Sequence, residues 1–161
     1  MRSSTSAQKG FSLIELLVVV AIMSILAGIA FPLAELSHRR AQEEELRRAL
    51  REIRSAIDAY HRMVDAGLIA RPAAGSGYPP SLQVLVSGET NAQTPQASKL
   101  YFLRRIPRDP LAPDTVADAA ETWALRSYDS PPDNPQPGRD VYDVYSKAQG
   151  NGLDGRPYRQ W

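Results

Sequence analysis

KGFSLIELLVVV, residues Lys9 to Val20, sets a basic residue, a small residue, one acid and the start of an apolar run in immediate succession. From Leu16 to Ala34 the chain carries no charge. At about 1.5 Å per residue this stretch makes a helix about 28 Å long. That nearly matches the hydrocarbon core of a bilayer, roughly 30 Å thick. The pattern predicts a segment that meets a membrane.

Glu15 is the unusual residue, because a carboxylate at the head of an apolar helix is costly to desolvate unless a partner or water is within reach. A secretory signal would place its small residues after the apolar stretch. Here the small residue, Gly10, comes before it. Cutting between Gly10 and Phe11 would remove the basic leader with Arg2 and Lys9 and keep the apolar helix. It would also create a free amine one helical turn from Glu15.

This arrangement resembles the type IV pilin-like signal, in which a dedicated membrane peptidase cuts after the glycine and methylates the new amino terminus. Gly10, Phe11, Glu15 and the apolar run all match that pattern. A plain signal anchor whose Glu15 snorkels toward the headgroups is the other reading of the same residues. The resemblance implies a leader over residues 1–10 that a prepilin peptidase removes, leaving Phe11 N-methylated. It implies a transmembrane and polymerisation helix over 11–35, and a pilin-like domain over 36–161. Many type IV pilins close a carboxy-terminal loop with a disulfide, so the absence of cysteine tilts the resemblance toward the pseudopilins of type II secretion systems, and most toward the major one.

Arg39, Arg40, Arg47 and Arg48 follow the apolar segment and outnumber Arg2 and Lys9 before it, so charge bias leaves orientation open. The resemblance alone puts the amino terminus in the cytoplasm and the domain in the periplasm, as a single-pass protein of the inner membrane. With a formal net charge of +1, the chain has no general attraction to nucleic acid. Residues 36–161 suffice for one modest core.

Leu46, Leu50, Ile53, Ile57, Tyr60 and Val64 recur at alternating steps of four and three, which predicts that the helix continues as a stem with one buried face. Gly67 is the expected stop and Pro72 forbids resumption. Pro32 lacks an amide hydrogen and its ring opposes the carbonyl of Gly28, which predicts a kink or a melted turn. Local unwinding there would let helices stack in a filament, if the bend is not merely passive. Between Arg39 and Arg54 lie six arginines and four glutamates. Glu43 with Arg47 and Glu44 with Arg48 have favourable helical spacing, so this face reads as solvated and self-paired, or as a register device between copies. On that reading Arg47 is a surface residue whose loss leaves stability unchanged.

Twelve of the thirteen prolines lie beyond residue 70, which excludes further long helices. Residues 78–86 read as a turn leading into a short amphipathic segment, and Gly88 to Ser98 as a polar loop. Thr122 to Tyr128 and Asp140 to Ser146 read as strands, the first with Trp123, Leu125 and Ser127 on one face. In the second, Tyr142 and Val144 should oppose Val141, Asp143 and Tyr145. The fold expected is α+β: a long amino-terminal helix packed on a small antiparallel β-sheet.

Tyr78-Pro79 with Leu82 and Leu85, the run Leu103 to Pro110, and Asp143 to Ser146 with the terminal Trp161 are similar to the major pseudopilin family. Leu111, where that family usually has an aromatic, and the longer Gly88 to Ser98 segment depart from it. The resemblance implies a calcium site in the carboxy-terminal loop, where Ser146 matches the family's serine and Asp154 aligns loosely. Read from the residues, Asn151-Gly152 and Asp154-Gly155 are turn dipeptides. Tyr145, Tyr158 and Trp161 could order the tail by docking their rings, without a cation.

His38 and His61 have no second histidine at ligand spacing and read as helix-surface residues. No nucleophile elbow or phosphate loop is present, and Asp109-Pro110 reads as a turn. The expected role is a structural subunit that forms a helical homo-oligomer in a type II secretion pseudopilus supporting protein export across the outer membrane. Its partners would be other pseudopilins, the prepilin peptidase and the inner-membrane secretion platform. The alternatives are a minor pilin of a type IV or competence pilus, and a monomeric membrane-anchored binding module.

Overall fold

Apolar residues spaced four and three apart produce one long helix whose later part carries the core. Helix α1 runs Leu13–Asp65, in a computed structural model that describes residues 12–71, 75–94 and 98–161. Leu46, Leu50, Ile53, Ile57, Tyr60 and Val64 are all at most 5% exposed, so the stripe is the seat of the core, as its period predicts. The leader, Gly10, Phe11 and Pro72 lie outside the described residues.

The chain divides into two units, Met1–Arg40 and Ala41–Trp161. In the first, the helical assignment passes through Pro32 without interruption, so the melted turn expected there does not form. Proline's own φ is close to helical, and the lost bond to the Gly28 carbonyl need not drive the neighbours out of the helix.

In the second unit, α1 closes where the sequence said it would. Gly67 sits at φ 71°, its N–H donates to the Val64 carbonyl at 3.0 Å, and Leu68 N–H reaches back to Met63 O at 2.9 Å. These two bonds form the Schellman closure, which needs a residue in the left-handed region and so favours glycine. The chain then makes a short helix α2 (Leu82–Ser87), with Leu82 and Leu85 buried, as the amphipathic spacing suggests. Phe102 and Leu103 both donate their amides to Leu85 O.

Among the described residues the strands form two separate two-stranded antiparallel ladders. One was not expected: β1 (Glu89–Thr90) pairs with β2 (Lys99–Leu100), so the ends of the Gly88 to Ser98 segment are tied together. Strands of two residues are too short to show a period. The other ladder pairs β3 (Trp123–Arg126) with β4 (Asp143–Ser146), with Trp123 opposite Ser146 and Leu125 opposite Val144. Both strands are shorter than predicted, because Ser127 N–H bonds to Gln136 O and Val141 N–H bonds to Pro79 O, outside the ladder. Val141 and Val144 are therefore both buried, and the alternation expected to separate them fails before Asp143.

These elements share one apolar cluster, in which the α1 stripe meets Ile69, Leu82, Leu85, Leu103, Trp123, Val141, Val144 and Tyr158. Buried polar groups fix the loops around it. Asp140, only 3% exposed, accepts Ser127 Oγ and Tyr128 N–H on one oxygen and Ser76 Oγ on the other. Burial works against its charge, but the bonds from Ser76, Tyr128 and Ser127, with Arg139 nearby, outweigh it and hold the carboxyl below its ordinary pKa.

Candidate functional site

The amino-terminal part of α1 presents a continuous apolar surface. Exposure is 79% at Leu13, 60% at Leu16, 49% at Val19 and 66% at Ile25. The helix is long and apolar enough to cross a membrane. Side chains of this kind leave water only if something outside the chain covers them, whether lipid or other helices.

Glu15 sits in the first turn of that helix. Ser12 caps it: the Ser12 carbonyl accepts Leu16 N–H at 3.2 Å, and Ser12 Oγ accepts Glu15 N–H at 3.2 Å. The sequence carries the signal for this in Ser-x-x-Glu at Ser12 and Glu15, the pattern of a capping box. An acid in the first turn also complements the helix dipole. From Ser12 to Ala34, Glu15 is the sole ionisable side chain.

The carboxy-terminal segment meets the stem of α1 through polar side chains of its charged flank. Glu43 is 5% exposed, and its Oε1 accepts Leu153 N–H at 2.9 Å and the Tyr158 hydroxyl at 3.0 Å. Arg47 donates to Asp154 Oδ2 at 3.2 Å and lies 4.2 Å from the centre of the Trp161 ring. Arg54 donates to Asp143 Oδ1 at 2.7 Å, Val144 O at 3.1 Å and Trp161 O at 2.7 Å. The solvated reading is therefore corrected for Glu43, which is buried, while Arg47 and Arg54 stay partly exposed and reach across to the tail. Their steps of four and seven put them on one flank of the core stripe, which is why the folded-back tail meets them.

The rings expected to order the tail are docked. Tyr158 is buried and Trp161 stands edge-on to it at 5.2 Å. Gly152 makes room: a Cβ there would fall 2.1 Å from Trp161 Cζ2. The Trp161 indole N–H is buried without an acceptor among the described residues.

Ser146 and Asp154, the residues the family resemblance implies for calcium, each have protein partners. Ser146 is 1% exposed, gives its proton to Asp109 Oδ2 at 2.5 Å and accepts Ala148 N–H at 3.0 Å. Asp109 is fully buried and also accepts Leu111 N–H at 2.8 Å, so the expected turn at Asp109-Pro110 is an anchored one. Asp154 receives the Arg156 backbone N–H and guanidinium as well as Arg47. The Arg156 backbone bond leads the causes that lower its pKa, burial opposes them, and the charges of Arg156 and Arg47 add to the lowering. A hard cation needs six to eight oxygens, several from carboxylates. As placed, these residues do not fit it, and the described residues hold no group of three His, Cys, Asp or Glu that could take a metal.

His38 is exposed. His61 is not a plain surface residue: its Nδ1 lies 2.9 Å from Asp65 Oδ2, and its ring meets Tyr78 edge-on at 4.2 Å.

Residues 5–31 match the family described as the prokaryotic N-terminal methylation motif. The chain is similar to the type II secretion system core protein G of Klebsiella michiganensis, with 30% identity over 112 residues, covering 67% of this chain and 71% of that protein. It is also similar to the type IV major fimbrial protein FimA of Dichelobacter nodosus, at 45% identity over 53 residues, a third of each chain. No solved structure matches it significantly.

Proposed function

The chain belongs to the pilin-like family that includes type II secretion core protein G, and from that premise we propose that it is a structural subunit of a secretion pseudopilus. Its relatives are filament subunits rather than enzymes, and the apolar amino-terminal helix anchors it in a membrane. On our reading a prepilin peptidase removes residues 1–10, Phe11 is N-methylated, and the helix over 11–35 holds the domain, 36–161, in the periplasm. Copies then polymerise through that helix into a filament that supports export across the outer membrane. Other pseudopilins and the inner-membrane platform complete the assembly.

The observation that carries this reading is the extent of the likeness. Similarity to core protein G runs over 112 residues, more than the signal and anchor can account for, whereas similarity to the fimbrial protein covers 53 residues. The exposed apolar helix supports polymerisation, because copies can cover that surface by close helix-to-helix packing. Glu15 would pair with the new amine of Phe11, on the same helix or a neighbour, since a paired charge in hydrocarbon costs far less than a lone one. Pro32 and Gly28 would give the helix a point where it can loosen as copies pack.

The similarity to FimA keeps a pilus role as the second reading. Deleting the gene separates the two: the pseudopilus reading expects export to stop while surface pili persist. Loss of pili with normal export would transfer the chain to the pilus.

A further inference from the structure

The geometry points to a metal-independent latch: two arginines and one buried glutamate of α1 fasten the carboxy-terminal segment to that helix, and a third arginine braces the loop from within, without a divalent ion. Its core is the Glu43 carboxylate, which holds Leu153 N–H and the Tyr158 hydroxyl from within the protein. A buried carboxylate with two donors is a strong anchor, because charge-assisted bonds are roughly twice as strong as neutral ones. One turn along the helix, Arg47 joins the loop acid Asp154 to the Trp161 ring. Two turns further, Arg54 ties Asp143 and Val144 of β4 to the Trp161 backbone oxygen.

Within the loop, Arg156 neutralises Asp154 a second time. Backbone bonds from Gly152 to Arg156 O, Gly155 to Gly152 O and Tyr158 to Gly150 O close the turn upon itself. A divalent ion binding at Asp154 would have to displace two guanidinium groups, and it would find Ser146 already committed to Asp109. The work that a cation would do, bringing loop oxygens together and neutralising them, is done by guanidinium groups of fixed planar geometry.

Amide hydrogen exchange over residues 150–161 tests this in the full chain, in detergent, with either calcium chloride or a strong chelator present. We expect the same exchange rates in both, and an acceleration of about tenfold in Arg47→Met, equally with and without calcium. A site holding calcium at a hundred times its dissociation constant would instead slow opening about 100-fold, and chelation would abolish that. Faster exchange on chelation, reversed by added calcium, overturns the inference. So does wild-type exchange in Arg47→Met. Should that variant fold poorly, Tyr158→Phe, which removes the hydroxyl donated to Glu43 and keeps the ring, must give the same metal-independent acceleration.

Discussion

Two stretches of the same helix have opposite fates. Along Leu13 to Leu33 the described large apolar side chains stay about half exposed or more, whereas along Leu46 to Val64 the apolar stripe is buried to 5% or less. The difference lies in pattern. The first stretch is apolar on every side, as suits a uniform apolar surrounding, and the second is apolar on one face only. One half of α1 thus needs partners outside the chain, and the other finds them within it. The contrast predicts that substitutions in the first half change assembly and leave the fold alone, while those in the second do the reverse.

The largest effect should come from Glu15→Ala. Processing and membrane insertion should stay near wild type while filament yield collapses, read by shearing and immunoblotting of filaments against total membrane protein. Wild-type yield would sever the assembly role from this residue.

Next, Ile57→Ala should lower the stability of the second unit by about 2 to 5 kcal/mol, the usual cost of emptying a well-packed site. Thermal melts of the detergent-solubilised chain measure it, and equal losses from Leu17→Ala would erase the contrast between the two halves.

Asp140→Asn should cost about 1 to 3 kcal/mol, since the amide cannot accept all three of the bonds that the carboxylate takes. The wild-type contribution has a definite sign with pH. The folded pKa is lowered, so the unfolded chain binds the proton more readily. Stability from this group is full above the ordinary carboxylate value of about 3.9 and is lost as pH falls below it, through the folded pKa. The variant should show a shallower acid dependence in that window.

The smallest expected change is Gly67→Ala, about 1 kcal/mol from forcing a side chain into the left-handed closure of α1. An unchanged melt would mean that the helix end relaxes to another closure.

What was legible in the sequence follows from the range of each interaction. Period and capping act within a few residues, so the stripe from Leu46 to Val64, the stop at Gly67 and the short helix at Leu82 could all be read directly. Glu43 and Arg47 misled, because their four-residue spacing suits a surface pair equally well. Leu153, Tyr158, Asp154 and Trp161, which they also meet, lie more than a hundred residues away. Asp109 and Ser146, 37 residues apart, were likewise invisible to local pattern. At the amino terminus, Glu15 was legible as an anomaly, and the Ser12 cap on its N–H is short-range enough to be legible in Ser-x-x-Glu as well.

The account stands or falls on what happens at Gly10. The mass of the amino-terminal peptide, taken from membranes of cells that contain the peptidase, tests it most directly. The account predicts a peptide beginning at Phe11 and heavier by one methyl group. A peptide that still begins at Met1 would contradict it.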